Sequence, residues 1–293
     1  KNSRGLTMEI ITTVPELQER IMNWEKAGKT IGFVPTMGYL HEGHLSLVRG
    51  ARRGNDIAAV SIFVNPKQFG PAEDYNVYPR DFNRDAALLE KEGVDLIFYP
   101  SVNDMYPAGY KTYVKVEDLE NKLCGSSRPG HFRGVCTVVL KLFNLIRPDE
   151  AYFGWKDAQQ VIILKKMVED LNLPIKIRPM PLIREKDGLA LSSRNIYLNQ
   201  QERKAALVLY RSLELVESLI KDGERRAAKI RQQMIDLISA EPLTRIDYVE
   251  IVDFQTLDPL EAIEGDALVA LAVYLGRTRL IDNLRFISGV IEK

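Results

Sequence analysis

The sequence has little of what marks membrane, secreted or nucleic-acid-binding proteins. A segment that spans a bilayer needs about 20 consecutive apolar residues, and no apolar stretch of the sequence approaches that length. There is also no secretory hydrophobic region near the start of the sequence. Forty Lys and Arg residues balance forty Asp and Glu residues, which argues against an extended basic surface for nucleic acid. We therefore expect a cytoplasmic chain with no membrane or nucleic-acid partner.

Cysteine is also scarce, with Cys124 and Cys136 as the only two. This pair does not suggest the disulfide framework of a small secreted protein. Cys136 lies within the apolar run Val135–Leu140, where a buried thiol in a reducing compartment is expected. We assign neither cysteine a nucleophilic role.

The chain does contain enough apolar residues for a large core. Its 293 residues are 45% apolar and 27% charged, which is typical of globular proteins, and the length allows one large or two moderate domains. Residues 1–7 are polar and precede Met8, so we expect a frayed extension there and leave it out of the fold prediction.

From Thr30 to Pro179, short apolar runs alternate with segments of helical period. The strand-like runs are Thr30–Val34, Ile57–Val64, Asp95–Tyr99, Glu150–Phe153 and Ile175–Arg178. The helical candidates are Gly43–Arg53, Asp81–Glu92, Phe132–Ile146 and Asp157–Leu171. This alternation predicts an α/β fold with a parallel sheet wrapped by helices, and such sheets bind ligands beyond the carboxyl ends of their strands.

The pattern changes after Pro179–Pro181, where two amphipathic helices are followed by three strand-like runs. These segments are Gln200–Lys221, Glu224–Ile238, Asp247–Val252, Ala267–Tyr274 and Thr278–Leu284. Because no helices separate the three runs, we predict a smaller α+β unit with an antiparallel sheet. The chain then divides into domains over residues 8–181 and 182–293.

Only three histidines occur in the chain, and His41 and His44 stand three apart within Pro35–Leu47. The residues before the pair read as a strand and those after it have helical spacing. The first N–H groups of a helix lack backbone partners and the helix dipole is positive there, so this junction is a ready anion site. Gly38 would allow a tight turn, and Gly43 would let a phosphate approach the backbone.

Two other interpretations of these histidines stay open. Either imidazole would serve equally as an ordinary helix cap or surface residue. Zinc ligation is the second alternative, although a helical zinc pair normally has i and i+4 spacing, and here the spacing is i and i+3. The remaining histidine, His131, and the cysteines lie far away in the sequence.

Two further segments follow strand ends and carry polar side chains. After Val64, Pro and Gly residues force an irregular connection containing Gln68, whose neutral amide can serve a carboxylate or a hydroxyl, although a surface glutamine is equally expected. After the strand-like run Glu150–Phe153, Lys156 can neutralise phosphate, with Gln160 one turn further on the same helix face. Solvent exposure is the alternative for Lys156, and Asp157 is better explained as an N-cap.

A fourth segment, Gly188–Asn195, is small and polar. Its Ser192, Ser193 and Arg194 place two hydroxyls and a guanidinium together, a combination that suits phosphate oxygens. Ser-Ser-Arg alone is found in many loops, so its value comes from its occurrence with the other three segments.

Together these segments resemble a known family. His41-Glu42-Gly43-His44 is similar to the H-x-G-H signature of adenylyl-transferring, Rossmann-like enzymes, and the chain more narrowly resembles the pantoate-beta-alanine ligase family. The matching segments, in order, are Pro35–Leu47, Ser61–Gly70, Tyr78–Arg80, Val138–Leu142, Ala190–Asn195 and Asp282–Asn283. Two residues depart from the family pattern: Trp155 replaces a usual glutamate, and Tyr39 replaces a usually small residue. Packing or substrate access near the adenine side would differ accordingly.

The resemblance implies a fold and a reaction. A Rossmann-like catalytic domain over residues 8–181 would bind ATP and pantoate, and residues 182–293 would form a smaller lid that excludes water. The family condenses pantoate with β-alanine, uses ATP and magnesium, forms an enzyme-bound pantoyl adenylate and releases pyrophosphate and AMP. The resemblance also implies a homodimer.

The resemblance implies residue roles as well. His44, assisted by His41, would donate hydrogen bonds at the α-phosphate. The β- and γ-phosphates would be held by Lys156, Ser192, Ser193 and Arg194. The nucleotide site would further include Met37, Gly38, Gly43, Gly154, Trp155, Asp157, Ile183 and Leu191. Gln68 and Gln160 would bind pantoate, and Gln68 would also face β-alanine.

The sequence leaves the magnesium ligands unknown, since Asp74, Asp81 and Asp85 either participate or merely solvate their loop. The closest alternative function is another small-molecule adenylyltransferase that leaves AMP on its product. A tRNA-charging enzyme is disfavoured by the zero net charge. A non-catalytic nucleotide sensor would need neither Lys156 nor the paired histidines.

Overall fold

The computed structural model describes residues 8–71 and 73–293, so the extension expected over residues 1–7 lies outside the described residues. The chain divides into two compact units that alternate along the sequence. The first unit contains the chain up to Glu120, Arg128–Trp155 and Gln160–Met180, and the second contains Asn121–Ser127, Lys156–Gln159 and Pro181–Lys293.

Strands and helices are numbered in chain order. The strands are β1 (Glu9–Ile11), β2 (Ile31–Thr36), β3 (Ile57–Ile62), β4 (Leu96–Phe98), β5 (Glu150–Gly154), β6 (Lys176–Met180), β7 (Thr244–Asp253), β8 (Ala267–Leu275), β9 (Thr278–Ile287) and β10 (Val290–Glu292). The α-helices are α1 (Val14–Lys26), α2 (Glu42–Gly54), α3 (Phe82–Lys91), α4 (Val102–Met105), α5 (Cys124–Ser127), α6 (His131–Ile146), α7 (Ala158–Asp170), α8 (Gln200–Ala205), α9 (Leu207–Lys221) and α10 (Ala227–Ser239).

The first unit is built on a six-stranded sheet with the order β1-β4-β3-β2-β5-β6, in which all neighbours are parallel. All six residues of β3 are buried, as a strand covered by helices on both faces requires. The strand order reverses at β2, which has β3 on one side and β5 on the other. Open α/β sheets have their ligand crevice at such a reversal, beyond the carboxyl ends of the strands.

Helix α2 is fixed against this sheet by one apolar face. Its residues Leu45, Leu47, Val48 and Ala51 are buried, and they join Val34 and Val60 in a common core. Each buried leucine or valine contributes about 1.5–3 kcal/mol relative to exposure. This packing fixes the N-terminus of α2 at the carboxyl end of β2.

The second unit contains a four-stranded antiparallel sheet with the order β10-β9-β8-β7. Helices α9 and α10 bury residues such as Leu213, Val216, Ile230 and Met234 in one core with residues of β7, β8 and β9. Arg184 and Ala190 pair in an isolated antiparallel bridge, so the chain folds back on itself between them.

The predicted fold class is confirmed: a helix-flanked parallel sheet is followed by a smaller α+β unit with an antiparallel sheet. The elements β1, α1, α4, α5 and β10 were not predicted. The expected single helix over 200–221 is divided into α8 and α9 at Ala206. Among the helices of the described residues, none combines the length and apolar character needed to cross a bilayer.

Candidate active site

The turn between β2 and α2 has a left-handed backbone. Gly38 has φ of 82° and Tyr39 has φ of 50°, a region that glycine adopts readily and tyrosine does not. The Thr36 hydroxyl accepts the Gly38 N–H at 3.1 Å and donates to the Ser61 carbonyl at 2.8 Å. Gly38 therefore allows the tight turn predicted for it, and β3 supports the turn from the side.

A carboxylate from helix α3 holds the same turn. Asp85 is buried and accepts the N–H groups of Tyr39 at 2.6 Å and Leu40 at 2.8 Å. Its neighbour Arg84 donates to the Leu40 carbonyl at 2.8 Å and lies over the Tyr39 ring. Burial raises the pKa of the Asp85 carboxyl, and the two backbone N–H groups oppose that effect. Asp85 thus satisfies the backbone N–H groups of the strained Tyr39 and of Leu40, the two residues that precede His41.

Both histidines use one ring nitrogen to cap helix α2. His41 Nδ1 accepts the Gly43 N–H at 3.2 Å, and His44 Nδ1 accepts the His41 N–H at 3.3 Å. The ring centroids are 4.1 Å apart. An Nδ1 atom that accepts an N–H carries no proton, so each neutral imidazole has its proton on Nε2. Both rings therefore cap α2 through Nδ1, as the capping alternative predicts, and carry their proton on Nε2.

Gly43 has a steric reason to be glycine. A Cβ at this position would lie 2.9 Å from the His41 ring. From the sequence, the approach of a phosphate was the only reason expected for glycine at residue 43. The structure adds that a side chain here would displace the His41 imidazole from its capping position.

Gln68 is buried at the end of a 3-10 turn, Pro66–Gln68, and is not a surface residue. Asn65, also buried, donates from Nδ2 to Gln68 Oε1 at 3.1 Å, and the Tyr106 hydroxyl donates to Asn65 Oδ1 at 2.8 Å. Gln68 Nε2 points to Met37 Sδ at 3.1 Å. The Gln68 amide is therefore oriented with its oxygen toward Asn65 and its NH2 group toward Met37.

Helix α6 supports the backbone of this loop. His131 Nδ1 lies 2.8 Å from the Gln68 carbonyl, which can only accept, so Nδ1 carries the proton. His131 Nε2 then accepts from Arg128, whose Nε donates to Glu73 Oε1 at 2.8 Å. Burial alone would raise the pKa of Glu73, but the hydrogen bonds and charge of Arg128 hold it below its ordinary value.

A glycine of α6 also fixes how closely the loop approaches this helix. A Cβ on Gly134 would lie 2.7 Å from Gln68 Cα and would meet the Lys67 backbone as well. The loop backbone therefore rests directly on the helix. Neither Gly134 nor His131 was assigned a function from the sequence, because each acts on a segment more than 60 positions away.

Gly154, Trp155 and Gln160 belong to the first unit. Gly154 ends β5, Trp155 begins a 3-10 turn, and Lys165 lies 5.4 Å above the Trp155 ring. Gln160 is partly exposed in the first turn of α7. The Trp155 indole therefore lies beside a lysine of α7.

The remaining predicted residues belong to the second unit. Lys156 and Asp157 lie in the same 3-10 turn, with Lys156 Nζ 3.9 Å from Asp157 Oδ2. The Leu191 N–H donates to the Ile183 carbonyl at 3.0 Å. The hydroxyl of Ser192 then caps the following turn by accepting the Arg194 N–H at 3.2 Å, and Ser193 is buried.

A cavity of about 510 Å³ opens in the first unit beyond the carboxyl ends of β1 to β4. Met37 and Gly38 are the predicted site residues that line it. The acidic residues Asp81 and Asp85 line it too, so two candidate magnesium ligands face the same space.

Both aspartates accept backbone hydrogen bonds that hold the local structure. Asp81 Oδ1 caps helix α3 by accepting the Arg84 N–H at 3.1 Å, and Asp85 is occupied by the turn after β2. Within residues 8–71 and 73–293, no three His, Cys, Asp or Glu side chains are placed to hold a metal ion. The zinc alternative for His41 and His44 therefore has no support in the described chain.

A parallel α/β sheet that presents an H-x-G-H turn at a helix N-terminus defines the class of Rossmann-like adenylyl-transferring enzymes that the sequence resembles. The chain matches the family model described as pantoate-beta-alanine ligase over residues 9–285. The chain belongs to the pantoate-beta-alanine ligase family.

Individual relatives agree with this assignment. A pantothenate synthetase of Caldicellulosiruptor saccharolyticus is 58% identical over 277 residues, covering 94% of this chain and 99% of the relative. The crystal structure of pantothenate synthetase from Thermus thermophilus has a TM-score of 0.90 at 47% identity and covers 94% of this chain and 99% of its own. Pantoate-beta-alanine ligase from Francisella tularensis, solved with Beta-gamma ATP and Beta-alanine, has a TM-score of 0.78 at 34% identity and covers 94% and 97%.

Proposed function

We propose that this enzyme condenses pantoate with β-alanine to give pantothenate, using ATP, passing through a pantoyl adenylate and releasing pyrophosphate and AMP. The observation that carries the proposal is the imidazole pair at the N-terminus of α2, each ring with its proton on Nε2. Two neutral N–H donors beside a helix N-terminus suit a phosphate that gains negative charge during an in-line displacement.

In the first step, a carboxylate oxygen of pantoate attacks the α-phosphorus of ATP. The bond from this phosphorus to the β-phosphate oxygen breaks, and pyrophosphate leaves. Because two anions must meet, the site has to cancel charge and align the reactants. His44 donates from Nε2 to the α-phosphate or the bridging oxygen, and His41 assists. Such a preorganised donor typically contributes about 3 kcal/mol of transition-state stabilisation.

The β- and γ-phosphates, and then the leaving pyrophosphate, are bound by Lys156, Ser192, Ser193 and Arg194. The cap that Ser192 places on the turn of Arg194 supports this assignment, because it fixes the backbone from which the guanidinium extends. The guanidinium and the Lys156 ammonium supply the positive charge that the polyanion requires.

Pantoate is held by Gln68 and Gln160. The contact of Asn65 with Gln68 Oε1 supports this role, since it fixes the orientation of the amide, whose NH2 group points to Met37 Sδ and has a second N–H for a substrate oxygen. A neutral donor binds the carboxylate without the loss of nucleophilicity that a fixed cation would cause. In the second step, the amine of β-alanine attacks the acyl carbon, the bond from that carbon to the phosphate oxygen breaks, and AMP leaves as the nitrogen loses a proton.

The further residues assigned to nucleotide binding are Met37, Gly38, Gly43, Gly154, Trp155, Asp157, Ile183 and Leu191. Residues 8–181 form the catalytic domain and residues 182–293 a lid that keeps water from the adenylate. When bound with ATP, magnesium would supply charge neutralisation at the phosphate oxygens. The absence of a three-ligand acidic group among the described residues fits an ion held mainly by phosphate and water.

The test is AMP release measured with each acid and each amine in turn. Release that requires pantoate and β-alanine together, with pantothenate formed in equal amount, is expected. The alternative, another small-molecule adenylyltransferase, predicts pyrophosphate release with AMP retained on the product. Pyrophosphate release without free AMP would therefore replace the proposal with that alternative.

Two further properties belong to the proposal. We propose a homodimer, which the family resemblance supports and sedimentation equilibrium would test. We also propose a cytoplasmic location, which is supported by Cys124 and Cys136 being buried thiols. Burial raises the pKa of Cys136 to about 12, so this thiol stays protonated and unreactive.

A further inference from the structure

Two adjacent polar residues, Asp282 and Asn283, interrupt the middle of strand β9 and are both buried. Successive side chains of a strand point to opposite faces. Asp282 shares the face of Leu280 and Leu284, which belong to the core of the second unit. A carboxylate among leucines is costly unless it is paired and hydrogen-bonded. Its presence therefore needs an explanation beyond packing.

Asp282 is paired with Arg184. Its two carboxylate oxygens accept from the two terminal nitrogens of Arg184 at 2.7 and 3.0 Å, and Arg184 also donates to the Gly188 carbonyl at 3.0 Å. Burial raises the pKa of Asp282, and the charges of Arg184 and Lys156 oppose this effect. The ion pair thus anchors the fold-back that bridges Arg184 to Ala190, immediately before Leu191 and the serines.

Asn283, on the opposite face of the strand, anchors a different segment. Its Nδ2 donates to the backbone carbonyl of Lys156 at 3.1 Å. Asn283 therefore holds the backbone of the Lys156 turn, and the Lys156 ammonium takes no part in this contact. Two neighbouring positions of one strand hold two segments that are about 30 residues apart in sequence and that both carry phosphate-binding candidates.

We propose that Asp282 and Asn283 are positioning residues for the ATP β- and γ-phosphates. Asp282 acts through Arg184 on the Leu191–Arg194 loop, and Asn283 acts on the Lys156 turn. The inference rests on the proposed function, in which these two segments bind the β- and γ-phosphates. It adds that one strand sets the spacing between them and that neither Asp282 nor Asn283 touches the nucleotide.

The experiment compares the affinity for β,γ-methylene ATP with the affinity for AMP, each with magnesium and measured by calorimetry. AMP lacks the β- and γ-phosphates, so a positioning defect should spare it. Asn283→Leu keeps the side-chain size and removes the donor to Lys156, and Asp282→Asn weakens the ion pair to Arg184. The matched control is Asp247→Asn, which disturbs the Arg279–Asp247 pair of the same sheet, in which the arginine is equally buried and the aspartate is partly buried.

We expect Asn283→Leu and Asp282→Asn to weaken the affinity for β,γ-methylene ATP at least tenfold and the affinity for AMP less than twofold. Asp247→Asn should change neither affinity. If Asp282→Asn fails to fold, Asn283→Leu alone decides. Three results would overturn the inference: an equal loss of affinity for both nucleotides, an unchanged affinity for β,γ-methylene ATP, or the same selective loss of affinity in Asp247→Asn. A wild-type protein that binds both nucleotides but makes no pantothenate would reject the proposed reaction and leave this binding comparison valid. A wild-type protein that binds neither would reject both.

Discussion

Replacing Asp85 by Asn should remove one of the two hydrogen bonds that hold the strained turn after β2. In the wild type, both carboxylate oxygens accept backbone N–H groups, at 2.6 Å from Tyr39 and 2.8 Å from Leu40. An asparagine has a single acceptor oxygen, so its NH2 group must face one of those two donors. Tyr39, with φ of 50°, then loses part of what compensates its backbone strain.

The magnitude follows from the lost contacts. One hydrogen bond to a charged acceptor contributes about 1.5–3 kcal/mol, and the donor left unsatisfied adds a desolvation cost. Removal of a buried negative charge offsets part of this loss, because burial already raises the pKa of Asp85. The net destabilisation is about 3 kcal/mol, which lowers the unfolding temperature by roughly 10 °C in a unit of this size.

The assay is kcat for pantothenate formation, measured well below the unfolding temperature of the variant. A displacement of His41 and His44 by a fraction of an ångström should lower kcat about tenfold. Asp95→Asn is the matched control, because Asp95 also accepts a backbone N–H, from Ala58 at 2.8 Å, and pairs with an arginine, but at the amino ends of the strands. Similar stability losses with an unchanged kcat in both variants would refute the positioning argument.

Three further outcomes are expected. His44→Ala should lower adenylate formation at least about a hundredfold in rapid-quench experiments with the fold retained, and near-normal formation would remove His44 from the mechanism. Glu73→Gln should destabilise the protein by about 1 kcal/mol at neutral pH. Since the folded pKa of Glu73 is lowered, that difference should be present above the unfolded pKa of about 4.3 and vanish as pH falls through the folded value, whereas a pH-independent difference in unfolding temperature would contradict it. Trypsin cleavage at Lys186 should slow when ATP is added, and an unchanged rate would count against a lid.

The parts of the site that the sequence predicted are local. The pair His41 and His44, the turn at Gly38 and the start of α2 all fall within a few residues of one another, so periodicity and glycine placement were sufficient. Strand ends and a polar loop also pointed to Gln68, Lys156 and Ser192, and the resemblance to the family then supplied the roles proposed for them. Strand β1 escaped prediction because three residues, Glu9–Ile11, are too few to show alternation.

The supports of the site could not be predicted in the same way. Asp85 reaches Tyr39 across 46 positions and Tyr106 reaches Asn65 across 41, and both contacts depend on which strands are adjacent in the sheet. Periodicity places Asp85 on a helix but does not say which loop that helix meets. The same holds for His131, whose proton position is set by the carbonyl of Gln68 rather than by its own neighbours.

Under the proposed role of Gln68 in pantoate binding, Gly134 has a consequence for altering the acid that the enzyme accepts. Because the loop backbone rests on the bare Cα of this glycine, the height of Gln68 is set by a missing methyl group on α6. Shortening side chains of the loop alone would leave the loop backbone at Gln68 in its present position against α6. Gly134→Ala would instead displace the loop backbone away from α6. A redesign of acid selectivity should therefore begin on the helix and not on the loop.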